Sequence, residues 1–126
     1  MEYEEIIKRI SKLDFIKDDQ TADAAVKAVL GILAGRLDEV QARKFTEKLP
    51  EPLTLEKLRG LERRVDPITV DYYISTIGTQ FALTKDQAST LVQNVLHLAK
   101  EVTGDGVLVE IERFLPSDWA EAIQKA

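Results

Sequence analysis

Residues 15–50 can be laid without a gap over residues 81–116, and the matches fall where a helical core needs them. Phe15 lies over Phe81, Ala22 over Ala88, Val26 over Val92, Val29 over Val95, Leu30 over Leu96, Leu49 over Leu115 and Pro50 over Pro116. Similar residues fill the gaps, with Ile32 over Leu98, Phe45 over Ile111 and Leu53 over Trp119. Few identities are needed when they select both the apolar face and the terminating proline. The pattern predicts a duplicated helical unit.

Length and composition agree with one body. The chain has 126 residues, and each half alone, at roughly 60 residues, would bury too little surface to be more than marginal. A single domain over 1–126 is therefore expected, with repeats at 1–53 and 67–126 joined by a basic helix at 54–66. Six glycines and four prolines favour helices over a many-turned β fold. The fold class is all-α: a bundle of about eight helices, packed about a pseudo-twofold axis through its long apolar helices.

Periodicity places the elements. Tyr3, Ile6, Ile7 and Ile10 share a helical face, as do Val70, Tyr73, Ile74 and Ile77. These two sets match only after a shift of one residue, so the exit turns before Phe15 and Phe81 should differ by one. The second helix, from about Gln20 to Arg36, carries a broad apolar stripe that Ala88, Leu91, Val92, Val95, Leu96, Ala99 and Val102 reproduce. Thr84 and Gln87 have capping-box spacing, and Asp18 and Asp19 offer acceptors in the first copy. A third helix opens at Asp38 or Asp105 and stops at Pro50 or Pro116, since proline disfavours helix in the residue before it. Thr54 then caps a helix with Leu55, Leu58 and Leu61 running to about Arg64, and Ser117 caps a last one holding Trp119 and Ile123. Asp66 caps the next unit, with Pro67 at its first position.

The stretches AVKAVLGILAGRLDEVQARKFTEKLPEPL and LVQNVLHLAKEVTGDGVLVEIERFLPSDW, residues 25–53 and 91–119, carry a resemblance. They resemble a bacterial family of tandem helical units catalogued as domain of unknown function 2267, each unit having a long apolar helix, a short hairpin and a helix ending in Leu-Pro. Members often carry paired small residues in the hairpin. Gly104 and Gly106 keep that feature, whereas Asp38 and Glu39 depart from it. The resemblance implies a fold and transfers no catalytic or binding residue.

Charge and residue types narrow the chemistry. Without cysteine, disulfides, thiolate metal sites and thiol nucleophiles are excluded. Net charge is -5, which disfavours nucleic acid as a general partner. The start MEYEEIIKRI lacks the basic and apolar regions of a secretory signal, and the apolar run 22–37 is broken by Asp23, Lys27 and Arg36. A cytoplasmic protein without membrane insertion is expected.

Three candidate surfaces remain. His97 shares a stripe with Thr90, Asn94 and Glu101, where the aligned column of the first repeat holds Ala24, Ala28, Gly31 and Gly35. Glu101 could orient His97 for acid-base work, but without a nucleophile or oxyanion donors a water-facing stripe is the simpler reading. The small stripe would let a neighbouring helix approach closely. Asn94 breaks the Glu-x-x-His spacing of a dimetal bundle, so no metal or other cofactor is called. Lys57, Arg59, Arg63 and Arg64 form a basic patch on the connecting helix, interleaved with Glu56, Glu62 and Asp66. Tyr73 and Trp119 read as core, leaving Tyr72 on another face as a partner anchor.

The leading functional reading is a non-catalytic module that docks another protein through its helical surfaces. One alternative is a ligand-binding or enzymatic bundle with a pocket near His97, and a second is nucleic-acid or anionic-surface binding through the basic helix. If the repeats share one core, Val29→Asp and Val95→Asp should each unfold the whole chain, because an unpaired buried carboxylate costs several kcal/mol of a total near ~5–15. Circular dichroism melts of each variant check this; retention of half the helical signal in either would refute it.

Overall fold

The computed structural model describes residues 1–59, 68–104 and 106–126, with Arg59 described by its backbone alone. Among the described residues there are eight helices and no strand. In chain order they are α1 (Tyr3–Ser11), α2 (Asp19–Arg36), α3 (Glu39–Thr46), α4 (Leu55–Arg59), α5 (Val70–Phe81), α6 (Lys85–Thr103), α7 (Val107–Glu112) and α8 (Ser117–Lys125). No helix is long and apolar enough to cross a membrane among the described residues.

Short polar side chains start most of these helices by accepting N–H groups that the first turn leaves free. Asp18 accepts from Thr21 N at 2.7 Å, and hydrogen bonds from the Thr21 side chain and backbone hold the Asp18 carboxyl below its ordinary pKa. Asp38 accepts from Gln41 N at 2.9 Å, and Thr54 accepts from Lys57 N at 3.3 Å. At α6 the expected capping box is complete. Gln87 N donates to the Thr84 hydroxyl at 3.1 Å, and Thr84 N donates to Gln87 Oε1 at 3.0 Å.

Several expected boundaries shift. The helices α3 and α7 end at Thr46 and Glu112, about a turn before Pro50 and Pro116, and tight turns such as Leu49 N to Thr46 O carry the chain onward. The prolines follow the stop instead of making it. Thr69, and not Asp66, caps α5 by accepting from Tyr72 N at 3.1 Å, so the helix begins three residues later than Pro67 would place it. Asp66 and Pro67 lie outside the described residues, as do Leu61 and Asp105. Gly106, at φ 91°, stands at the N-cap of α7 without a side-chain bond. Ser117 is the first helical residue of α8, with Pro116 at the cap position and no side-chain cap bond. The exit turns also differ by more than one residue. Phe81 is the last residue of α5, whereas α1 stops at Ser11 and Phe15 lies in the following turn. At α5 a left-handed Ala82, φ 55°, lets Leu83 N reach Gly78 O at 2.9 Å and closes the turn quickly.

Two long helices organise the packing. Helix α2 touches α1, α3, α4, α5 and α6, while α6 touches α1, α2, α5, α7 and α8. Helices α3 and α7 also meet, as do α5 and α8. The buried cluster takes Ala22, Ala25, Val26, Val29 and Leu33 from α2 and Ala88, Leu91, Val95 and Leu96 from α6. Each large aliphatic side chain buried there contributes about 1.5–3 kcal/mol. Ile16, in the turn after α1, joins the same cluster.

The small residues of α2 divide into two kinds. A Cβ at Gly31 would lie 2.9 Å from the Leu58 carbonyl oxygen, so α4 sits where only glycine admits it. Gly35, one turn further along, would meet nothing within 4 Å among the described residues. Gly35→Ala should therefore raise stability by about 0.5–1 kcal/mol through helix propensity alone. Gly31→Ala should lower it by about 1–3 kcal/mol, because a backbone carbonyl must be displaced. Urea melts of the two variants measure the difference; the same sign for both would contradict this packing.

Candidate functional site

The uncovered end of the small-residue face forms the floor of an open groove of about 470 Å³. Ala28, Gly31, Ile32 and Gly35 of α2 make the floor, and Leu58 of α4 closes one side. The opposite wall is α5, where Tyr72, Thr76 and Gln80 recur at every fourth position and so project from one face. Ile68 extends that wall by a turn, and Lys27 stands on the α2 side.

Buried polar contacts hold the wall in place. Tyr73, next to Tyr72 in sequence but turned inward, is fully buried and donates its hydroxyl to Val29 O at 2.7 Å. Burial pushes its phenol well above the ordinary tyrosine pKa, so it is a neutral donor. Trp119 stacks on Tyr73 with ring centroids 4.7 Å apart and donates Nε1–H to Ile68 O at 2.9 Å. Asp118 accepts from Val70 N at 2.9 Å, so the first turn of α8 anchors the start of α5. Tyr72 is left 60% exposed on the groove rim. Anchored backbone beneath an exposed aromatic ring suits a binding residue, since little ordering remains to be done on contact.

Among the described residues, Lys27 is the charged one in the lining. Its ammonium lies 3.1 Å from Asp23 Oδ2, and Asp23 also accepts the Tyr3 hydroxyl. Partial burial, then the bond to Asp23, raises the Tyr3 pKa. Both members of the Lys27–Asp23 pair are exposed by more than a third, so the pair itself contributes little stability.

The expected polar stripe does lie along one face of α6, and all four residues are exposed. Asn94 donates to the Thr90 carbonyl at 2.8 Å. His97 Nε2 lies 3.0 Å from Glu101 Oε1, and Nδ1 lies 3.2 Å from Ala126 O. Arg9 of α1 reaches the other Glu101 oxygen at 3.0 Å. Glu101 is thus shared between Arg9 and His97 on a solvated surface, and the groove has none of these four residues in its lining. Among the described residues no group of three or more His, Asp or Glu is placed to hold a metal.

Of the basic patch, Lys57 is exposed, while Arg63, Arg64 and the Arg59 side chain lie outside the described residues. Two cations near it in sequence are already paired. Arg43 lies 3.0 Å from Glu39 and 3.8 Å from Glu56, and Lys44 lies 3.4 Å from Glu110.

Sequence reasoning singled out Tyr72 but not Lys27, Thr76 or Gln80. Their signal was available in part: Tyr72, Thr76 and Gln80 keep helical spacing off the core stripe of α5. That α2 would present its small residues to the same space was not readable from either helix alone. On an exposed His97, the Glu101 contact should carry little energy, so His97→Gln should leave the unfolding free energy within about 0.5 kcal/mol of the parent. Thermal denaturation tests this; a large loss would give the stripe a structural role.

The family described as uncharacterized conserved protein (DUF2267) matches residues 3–122. No curated protein and no solved structure matches the chain.

Proposed function

Taking as premise that the chain belongs to the DUF2267 family, we propose that it is a non-catalytic docking module whose partner is another protein, received in the groove between α2, α4 and α5. One observation carries this reading: an open groove of about 470 Å³ has a floor of small residues and an exposed Tyr72 on its rim, backed by an anchored helix. Interfaces concentrate binding energy in such aromatic anchors beside pockets. Two further grooves, of about 480 and 500 Å³, have no aromatic residue in their described lining. His97 and Glu101 face water, and Arg43 and Lys44, near the connecting helix, are paired with carboxylates.

The same proposal includes a duplicated architecture within a single domain. Exchanging α1 to α4 with α5 to α8 maps the α1–α2 contact onto α5–α6, α2–α4 onto α6–α8, and α2–α5 onto α6–α1, all of which occur. Lys44 and Glu110, which the alignment sets over each other, pair directly across α3 and α7, as residues beside a twofold axis do. The duplication leaves one face free to differ between copies. A bacterial cytoplasm is the setting this reading carries.

A photocrosslinking residue placed at Tyr72 in the native host should trap one protein partner, and Gly35→Trp, which puts an indole on the groove floor at a position whose Cβ has room among the described residues, should abolish that product. The same probe at Val109, exposed on α7, serves as control. Equal trapping at both positions, or trapping that survives Gly35→Trp, would overturn the docking assignment.

A further inference from the structure

Each ring nitrogen of His97 faces an oxygen. Nε2 lies 3.0 Å from Glu101 Oε1, one turn further along α6, and Nδ1 lies 3.2 Å from Ala126 O, at the C-cap of α8. Neither oxygen is a donor. Glu101 meets Arg9 of α1 at 3.0 Å through its other oxygen, as a carboxylate does, and a backbone oxygen such as Ala126 O only accepts. A neutral imidazole carries one N–H, so one of its nitrogens would turn a lone pair toward an oxygen. The imidazolium donates to both.

We infer that His97 is a proton-operated latch, which fastens the last turn of α8 to α6 when its ring is charged. Among the described residues, the α6 side chains that reach the backbone at the end of α8 are His97 and Lys100, whose ammonium lies 3.4 Å from Gln124 O. The charged groups around the ring are Glu101 and Lys100 on its own helix, Arg9 with Glu5 on α1, and Lys125 with Glu121 on α8. Of these residue types histidine is the one that changes charge near neutrality, at about pH 5–8. Below that range both contacts hold. As pH rises through it one proton leaves, and the other stays on Nε2, because the Glu101 acceptor is charged, on the same helix, and makes the stronger hydrogen bond. The contact to Ala126 is the one given up. The first turn of α8 is fixed separately, by Asp118 on Val70 N and by Trp119 on Ile68 O. The latch therefore governs the end of α8 and leaves the fold intact.

The test uses NMR of the full chain with 15N-labelled histidine and 13C-methyl-labelled alanine. Long-range 1H–15N spectra should show both His97 nitrogens protonated at pH 5.5 and Nε2 alone at pH 8. Over the same interval relaxation of the Ala126 methyl should report a docked fraction falling by up to about fivefold, the limit for one exposed contact of about 1 kcal/mol. Ala120, in the first half of α8, should stay constant. His97→Gln should retain the fold and make Ala126 indifferent to pH. An Ala126 methyl equally ordered at both pH values in the parent, an equal change in His97→Gln, or a neutral ring protonated on Nδ1 would each overturn the latch.

Discussion

The hydroxyl of Tyr73 ties together three helices that sequence separates. It donates into the middle of α2 at Val29 O, and its ring lies against Trp119 of α8. A phenol so fully buried must find a partner, because an unpaired donor there would cost about 1–3 kcal/mol. Trp119 faces the same demand and meets it at Ile68 O, just before α5 begins. The two aromatic residues therefore set the height and angle of α5 over α2 through two directional bonds, on top of their large apolar burial. The wall that carries Tyr72 is a consequence of where Tyr73 had to go.

The long helices α2 and α6 show how one pattern supports two surfaces. Their inward faces hold the same kinds of residue at the same spacing and enter a common cluster. Their other faces differ in bulk. On α6 the side chains of His97 and Glu101 reach across to Ala126 and Arg9 and fill their own surroundings. On α2 the equivalent residues have almost no side chain, so α4 descends until the Leu58 carbonyl touches Gly31, and beyond it a groove remains. Small residues thus do two jobs: close helix contact at one turn and open space at the next.

Much of the fold was legible because helices announce themselves locally. The Thr84 and Gln87 box, the Asp18 and Asp38 caps, and the inward turns of Tyr73 and Trp119 all follow from spacing and residue type. The misread boundaries share a cause. Proline and serine are not sufficient signals in themselves: α3 and α7 tighten into turns before their prolines, and α8 starts on Pro116 without help from Ser117. The start of α5 is held by the local Thr69 cap and also by a carboxylate from far along the chain, Asp118 on Val70 N, which no local signal records.

By itself the sequence determined an all-helical chain, its central apolar helices, the residues turned inward and the absence of any sulfur chemistry. These rest on periodicity and composition, which act over neighbours in the chain. Tertiary structure alone decided that Tyr72, Lys27 and Gly35, from helices far apart in sequence, border one groove while His97 stays on an open surface. A groove is the gap left between elements, and its size depends on packing distances of a few ångström that only long-range contacts such as Tyr73 to Val29 and Leu58 to Gly31 establish.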